Sequence, residues 1–252
     1  MNENIFRLLN IARSSGVDKL KEVLAEQAKL DVSARREVRS NADLATLIFG
    51  VPFDEDMACD YYFWDNTTLS MIAPLSDYVS HGASLLEIGP GPAATLSRHL
   101  AAKKLGLIQT CAEIDLKFAN SCRRAIDKHR QDIQVVVTDM TDNITDTFDV
   151  VFMNPPYVPE RNLGSLKIVE QTQEFQAGYG GSDGADIVRR FLAEVPKVLH
   201  RYGYAILGIN NLYLSDKQMM KCISDSVFHL HKRYYPLDLV PPFSQAYILT
   251  LK

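Results

Sequence analysis

The chain has 252 residues, 46% of them apolar and 23% charged, enough for one large domain or a core domain with a small accessory one. No biased tract and no repeat at a solenoid period is present, which excludes disordered, fibrous and repeat classes. The 27 Lys and Arg against 31 Asp and Glu give a net charge of -4 and a pI near 5.9, a poor footing for gripping duplex DNA through many phosphates. Cys59, Cys111, Cys122 and Cys222 have no metal-ligand spacing and read as free thiols, so no metal site is expected. The N-terminus lacks a basic-then-apolar leader, and no run approaches the ~20 apolar residues of a membrane span, so a cytoplasmic protein without membrane contact is expected.

Residues 3 to 49 carry a helical pattern. Ile5, Leu8, Leu9 and Ala12, then Val17, Leu20, Leu24 and Ala28, recur every three or four residues, with Gly16 and Asp18 punctuating the pair. A third helix over 34–48 is expected to stop at Gly50 and Pro52. The run Tyr61-Tyr62-Phe63-Trp64 either lines a binding site or packs between two domains. A helix over 67–80 then leads to Gly82. The division this suggests is a helical module with connector over 1–66 and a larger α/β domain over 67–252.

From residue 83, strands at 84–88, 107–113, 133–138, 148–153 and 203–209 alternate with helices near 94–104, 116–129, 184–199 and 215–225. Such alternation requires a mostly parallel sheet covered by helices. The runs 227–235 and 245–251 follow each other without a helix and are expected to pair antiparallel at the sheet edge. The fold class is therefore α/β: a Rossmann-like, doubly wound, mostly parallel seven-stranded sheet with an antiparallel last strand, plus a small helical N-terminal module. The one basic cluster, His229, His231, Lys232 and Arg233, reads as a solvated strand end.

The segment from Leu85 to Ala94 is a strand, a glycine loop and a helix start, the place where a doubly wound sheet binds nucleotide-like ligands. Gly89, Gly91 and Ala94 nearly satisfy the dinucleotide fingerprint. Pro90 and Pro92, however, remove N–H donors that would cradle a phosphate, and Glu87 would set a carboxylate beside it. S-adenosylmethionine meets both objections, having no phosphate and carrying a sulfonium and an ammonium that a carboxylate favours. At the end of the second strand Glu113 is the favoured acceptor for ribose hydroxyls, with Asp115 as its rival. After the third strand, Asp139 is placed to accept the adenine amine, with Met140 supplying a backbone donor and an apolar face; a turn-capping role for Asp139 is the alternative.

The fourth strand runs into Asn154-Pro155-Pro156-Tyr157. Two prolines fix the backbone and donate no hydrogen bonds, leaving the Pro155 carbonyl and the Asn154 side-chain oxygen as acceptors. An amide or aromatic NH2 is a poor nucleophile because its lone pair is delocalised. Two acceptors on its N–H groups hold the nitrogen and favour the charge it gains during attack, while Tyr157 can stack on the planar group. The polar, glycine-rich stretch to residue 183, including Gln171 to Gln176 and Gly178 to Gly184, is expected to form a substrate lid, with Asp183 capping the next helix.

These motifs resemble the HemK-type protein glutamine methyltransferases and their eukaryotic relatives over residues 65–252. The matching residues are Glu87-Ile-Gly-Pro-Gly, Glu113, Thr138-Asp139, Asn154-Pro-Pro-Tyr-Val158 and Gly180-Gly-Ser-Asp-Gly184. The resemblance implies a Rossmann-like methyltransferase that modifies the glutamine of a Gly-Gly-Gln loop in peptide-chain release factors. Asn154 and Pro155 would then hold the substrate amide, and Glu87, Gly89, Gly91, Glu113 and Asp139 would line the cofactor site. The chain departs from the family at Ala93, where a further glycine is usual, and in Met71-Ile72-Ala73-Pro74, which lacks the bacterial Pro-Arg pair. Asp65-Asn66-Thr67-Thr68 is only loosely similar to the Glu-Asp-Thr segment of the eukaryotic members. The expected activity is S-adenosylmethionine-dependent N-methylation of a protein glutamine, with a small-molecule amine or amide as the alternative acceptor. Adenine methylation is disfavoured by the low pI, and a noncatalytic role by the intact glycine loop and tetrapeptide. The sequence leaves the oligomeric state open.

Overall fold

The computed structural model describes residues 3–14, 17–54, 62–103, 106–166, 177–235 and 243–252. Four helices open the chain: α1 (Glu3–Ala12), α2 (Val17–Ala28), α3 (Val32–Arg39) and α4 (Ala42–Phe49). The single helix expected over 34–48 is two. The Asn41 side chain accepts from Leu44 N–H at 2.8 Å and starts α4, a local bond that competes with continuing α3 while the apolar spacing runs on unbroken. Gly50, at φ 69°, ends α4 in the left-handed conformation expected of a glycine stop. Leu8, Leu44 and Phe49 of these helices share one apolar cluster with Phe63 and Trp64 of the connector and with Ala93 and Ala125 farther on.

Helix α5 (Asn66–Tyr78) is started by a capping box between Asp65 and Thr68. Then β1 (Ser84–Ile88), α6 (Thr95–Lys103), β2 (Ile108–Glu113), α7 (Leu116–Lys128), β3 (Ile133–Val137) and β4 (Phe148–Met153) follow in alternation. After α8 (Glu160–Leu166), α9 (Asp186–Glu194) is shorter than the helix expected over 184–199. It gives way to a 3-10 turn at Val195–Lys197, where Pro196 cannot continue the α-helical ladder. Strand β5 (Leu199–Asn210) consequently starts earlier than expected, its first residue pairing with Phe148. The chain closes with α10 (Asp216–Ser224), β6 (Phe228–Tyr234) and β7 (Ser244–Leu251).

The seven strands lie in the order β3-β2-β1-β4-β5-β7-β6. All neighbours are parallel except β7, which inserts between β5 and β6 antiparallel to both. Hydrophobic clusters cover both faces, one built on Leu86, Val151 and Phe191 and the other on Leu85, Val150 and Ile206, so alternate residues of β1 and β4 serve opposite layers. The strand order reverses between β1 and β4, and ligands of such sheets bind where that happens, beyond the carboxyl ends of the strands. Ile88 pairs with Met153, so the loop after β1 and the tetrapeptide after β4 leave the sheet side by side.

Arg98 on α6 is fully buried. Its Nε donates to Gln131 Oε1 at 2.8 Å, its Nη2 donates to the Pro52 carbonyl, and its guanidinium lies 5.1 Å from the centre of the Phe53 ring. Burial lowers its pKa to about 10. His99 beside it donates to the Phe49 carbonyl at 2.6 Å, a second tie between α6 and the end of α4. Cys111 and Cys122 are buried free thiols as expected, whereas Cys59 lies outside the described residues. No helix among the described residues is long and apolar enough to cross a membrane.

Candidate active site

A cavity of about 470 Å³ opens at the switch point. One end is lined by Glu87, Gly89, Gly91, Glu113, Asp139 and Met140, and the other by Asn154 and Pro156. Tyr62, Phe63 and Trp64 complete its wall. Of the aromatic run, Tyr61 lies outside the described residues, Tyr62 to Trp64 line the cavity, and Phe63 and Trp64 also pack among the N-terminal helices. The connector is held in place by Phe63, whose N–H donates to the Arg39 carbonyl at 3.0 Å and whose carbonyl accepts from Thr95 Oγ1 at 2.7 Å.

At the glycine-loop end, Gly89 (φ 65°) and Gly91 (φ 66°) both adopt the left-handed conformation that lets the chain turn from β1 into α6. The loop is pinned by Gly89 N–H donating to the Ala112 carbonyl at 2.8 Å and by Gly91 N–H donating to Glu113 Oε2 at 3.2 Å. Glu113 accepts a second bond from Asp115 N–H at 3.0 Å on its other oxygen. Its burial raises the carboxyl pKa. Asp115 lines the same cavity and also starts α7 as its N-cap, accepting from Phe118 N–H at 2.9 Å, so one of its oxygens is committed to the helix. Glu87 accepts from Ser97 N–H at 3.1 Å and from the Ser97 hydroxyl, and burial pushes its pKa up to about 7.

Asp139 carries an ion pair that the sequence did not suggest, with Arg190 of α9 at 3.1 Å. Arg190 also lines the cavity and pairs with Glu194 at 3.2 Å. Met140 is buried and sits at φ 51°, a strained backbone for a residue with a side chain, of the kind that collects at functional sites. Glu87 and Glu113 are thus two buried acids in one cavity with no basic group bonded to either among the described residues. That charge balance, with two prolines in the loop, suits a cationic, phosphate-free ligand and opposes a pyrophosphate.

At the other end, Asn154 lines the cavity, and Pro155 and Tyr157 on its C-terminal side are buried. The Asn154 amide nitrogen donates to Asp65 Oδ1 at 3.2 Å and lies 3.4 Å from Thr68 Oγ1. The Tyr157 hydroxyl is 2.7 Å from Thr67 Oγ1 and donates to Asp65 Oδ2 at 3.4 Å, and Thr67 in turn donates to Ser244 Oγ at 3.2 Å. The Tyr157 ring stacks on Tyr213, with centres 6.2 Å apart. These braces from the start of α5 were missed in the sequence. The Asp-x-x-Thr spacing announces a helix start but not what else its carboxylate touches.

The glycine-rich stretch also has an unexpected place. Its described part lies against the tetrapeptide: Val158 N–H donates to the Gly178 carbonyl at 2.8 Å and Gly180 N–H to the Val158 carbonyl at 2.9 Å. A Cβ on Gly180 would sit 2.6 Å from Tyr157 Cα, so only glycine permits this approach. Asp183 does not cap α9 directly. It accepts from Ala185 N–H at 3.0 Å and pairs with Arg189 at 2.9 Å, while Ala185 occupies the cap position. Residues Gln171 to Gln176 lie outside the described residues.

A seven-stranded sheet of this order, with a glycine loop and an acidic second strand at its switch point, defines the class of S-adenosylmethionine-dependent methyltransferases. Solved structures share the fold. A methyltransferase from Pyrococcus furiosus superposes with a TM-score of 0.56 at 20% identity, covering 83% of this chain and 93% of that one. An S-adenosylmethionine-dependent methyltransferase from Clostridium acetobutylicum gives 0.51 at 10% identity, covering 79% and 92%. The family model of the methyltransferase small domain matches residues 64–227, and the chain belongs to that family. Among curated proteins, it is 44% identical over 54 residues to a release factor glutamine methyltransferase of Bacillus cereus, covering 21% of this chain and 19% of that one. It is 39% identical over 64 residues to a ribosomal protein uL3 glutamine methyltransferase of Bordetella pertussis, covering 25% and 22%. It is 29% identical over 135 residues to a release factor glutamine methyltransferase of Geobacter sulfurreducens, covering 51% and 46%. The chain therefore aligns with less than half the length of each of these relatives.

Proposed function

We propose that the protein transfers a methyl group from S-adenosylmethionine to the side-chain amide nitrogen of a glutamine in a protein of the translation machinery, with a release factor as the leading substrate. The observation that carries this reading is the joint exit of the glycine loop and Asn154-Pro-Pro-Tyr from paired strands into one cavity, acids at one end and an amide at the other. The names of the curated relatives support glutamine as the acceptor.

The residues present fit the cofactor, which supplies an activated sulfonium methyl. Glu113 accepts from its ribose hydroxyls, the Glu87 carboxylate favours its positive charge, and Asp139 with Met140 receives the adenine, with Arg190 holding Asp139 in place. Asn154 Oδ1 and the Pro155 carbonyl accept the two N–H groups of the substrate amide. Held this way, the amide nitrogen loses its rotational freedom and gains acceptors for the positive charge that grows on its hydrogens during attack. Tyr157 fixes the turn through its hydroxyl, and the aromatic wall excludes water. A cytoplasmic location agrees with the buried free thiols Cys111 and Cys122.

Calorimetric titration with S-adenosylmethionine and separately with NAD tests the cofactor; binding of NAD alone would overturn the reading. Labelled methyl transfer to a release factor and to ribosomal protein uL3, compared with small amines and amides, tests the acceptor. The aromatic wall over the cavity is the observation that keeps a small-molecule amine or amide as the second reading.

A further inference from the structure

We infer that Asp65 is a positioning residue that fixes which way the Asn154 side-chain amide points. The inference rests on the proposed role of Asn154 as acceptor of a substrate N–H.

An ionised carboxylate only accepts hydrogen bonds, so the end of the amide that faces Asp65 must be its NH2 group. The 3.2 Å contact between Asn154 Nδ2 and Asp65 Oδ1 meets that requirement. It turns Asn154 Oδ1 to the opposite side, where an acceptor is needed. The Thr68 hydroxyl, 3.4 Å from the same nitrogen, cannot make this choice alone, because a hydroxyl both donates and accepts. Asp65 Oδ1 is itself held by Thr68 N–H at 2.7 Å and Thr68 Oγ1 at 2.9 Å, so the oxygen that selects the orientation is fixed by the first turn of α5. A reversed amide would present two donors to a substrate group that brings only donors, and transfer would stop in that fraction of molecules. The charge on Asp65 also polarises the amide and makes Oδ1 a stronger acceptor. The other oxygen, Asp65 Oδ2, takes the Tyr157 hydroxyl at 3.4 Å, so one carboxylate braces both ends of the tetrapeptide.

Two variants test this without removing the helix cap, since serine and asparagine cap as well as aspartate. Asp65→Ser is too short to reach Asn154. In Asp65→Asn the side-chain oxygen, held by Thr68 N–H, still accepts from Asn154. With a Gly-Gly-Gln-bearing release factor as acceptor and saturating S-adenosylmethionine, kcat of Asp65→Ser should fall roughly 10- to 100-fold, the kinetic equivalent of one charge-assisted hydrogen bond. Cofactor Kd should not change, and Asp65→Asn should recover most of the loss. A readout free of any acceptor is the pair of Asn154 side-chain NH2 resonances, assigned by their loss in Asn154→Ala. They should move upfield in Asp65→Ser and much less in Asp65→Asn. Unmoved resonances, or an unchanged kcat in Asp65→Ser, overturn the inference. Resonances that move as expected in a protein that methylates no release factor support the positioning and overturn the proposed substrate instead.

Discussion

Side chains facing the glycine-loop end of the cavity are held mostly by near neighbours: Glu113 by the amides of Gly91 and Asp115, and Glu87 by Ser97 ten residues on. At the other end, Asn154 and Tyr157 are held by Asp65 and Thr67, 89 and 90 residues earlier, while Thr67 leans on Ser244 from the last strand. The first arrangement is built from consecutive pieces of one βαβ unit. The second needs the whole domain in place before its geometry exists. If the two ends bind the cofactor and align the acceptor as proposed, these are separable tasks, and substitutions should divide accordingly.

The largest effect should come from Asn154→Ala. It should lower transfer by ~10²–10³-fold, the loss typical of one preorganised transition-state hydrogen-bond partner, with cofactor affinity unchanged in calorimetry. An active variant would erase the distinction between the two ends. Glu113→Ala should act in the opposite sense, weakening cofactor binding by roughly 10- to 100-fold while leaving kcat at saturating cofactor near its original value. Gly180→Ala drives a methyl against the backbone of Tyr157. It should cost about 1–3 kcal/mol, lower Tm by roughly 2–4 °C for each, and reduce kcat more than cofactor affinity.

The subtlest test sharpens the charge argument. Burial holds the Glu87 carboxyl at about 7 against an ordinary 4.5. A group whose folded pKa is raised contributes stability that is complete below its unfolded pKa and is lost as pH rises through the folded value. Glu87→Gln, which cannot ionise, should therefore flatten the fall in Tm between about pH 4.5 and pH 7. A cationic cofactor favours the ionised form, so its binding near pH 6 should release more protons in the wild type than in Glu87→Gln, measured by calorimetry in two buffers of different ionisation enthalpy (~pH 6, one unit below the folded value).

The same contrast explains what could be read from the chain. Strand β1 and the glycine loop, the acid ending β2 and the tetrapeptide after β4 are each contiguous, and residue type and period announce them. The break between α3 and α4 escaped because apolar spacing continues through Ser40-Asn41 and only the cap decides. The Asp139–Arg190 pair and the bracing of Asn154 by Asp65 escaped because nothing in local spacing records which distant elements meet. The glycines at 180–184 stood out in composition, but Gly180 and Gly184 are needed for close approach to the backbone after Asn154, and that is visible only once the two loops lie together.

Arg98 carries a consequence for exchange between proteins. Its guanidinium is buried beside α6, yet one of its bonds goes to the carbonyl of Pro52, beyond the last of the N-terminal helices. Losing one hydrogen bond of a buried charged group costs about 1.5–3 kcal/mol, an appreciable share of the ~5–15 kcal/mol that stabilises a typical domain. Exchanging the N-terminal helices for those of another protein should therefore destabilise α6 unless the replacement brings an acceptor to the same point.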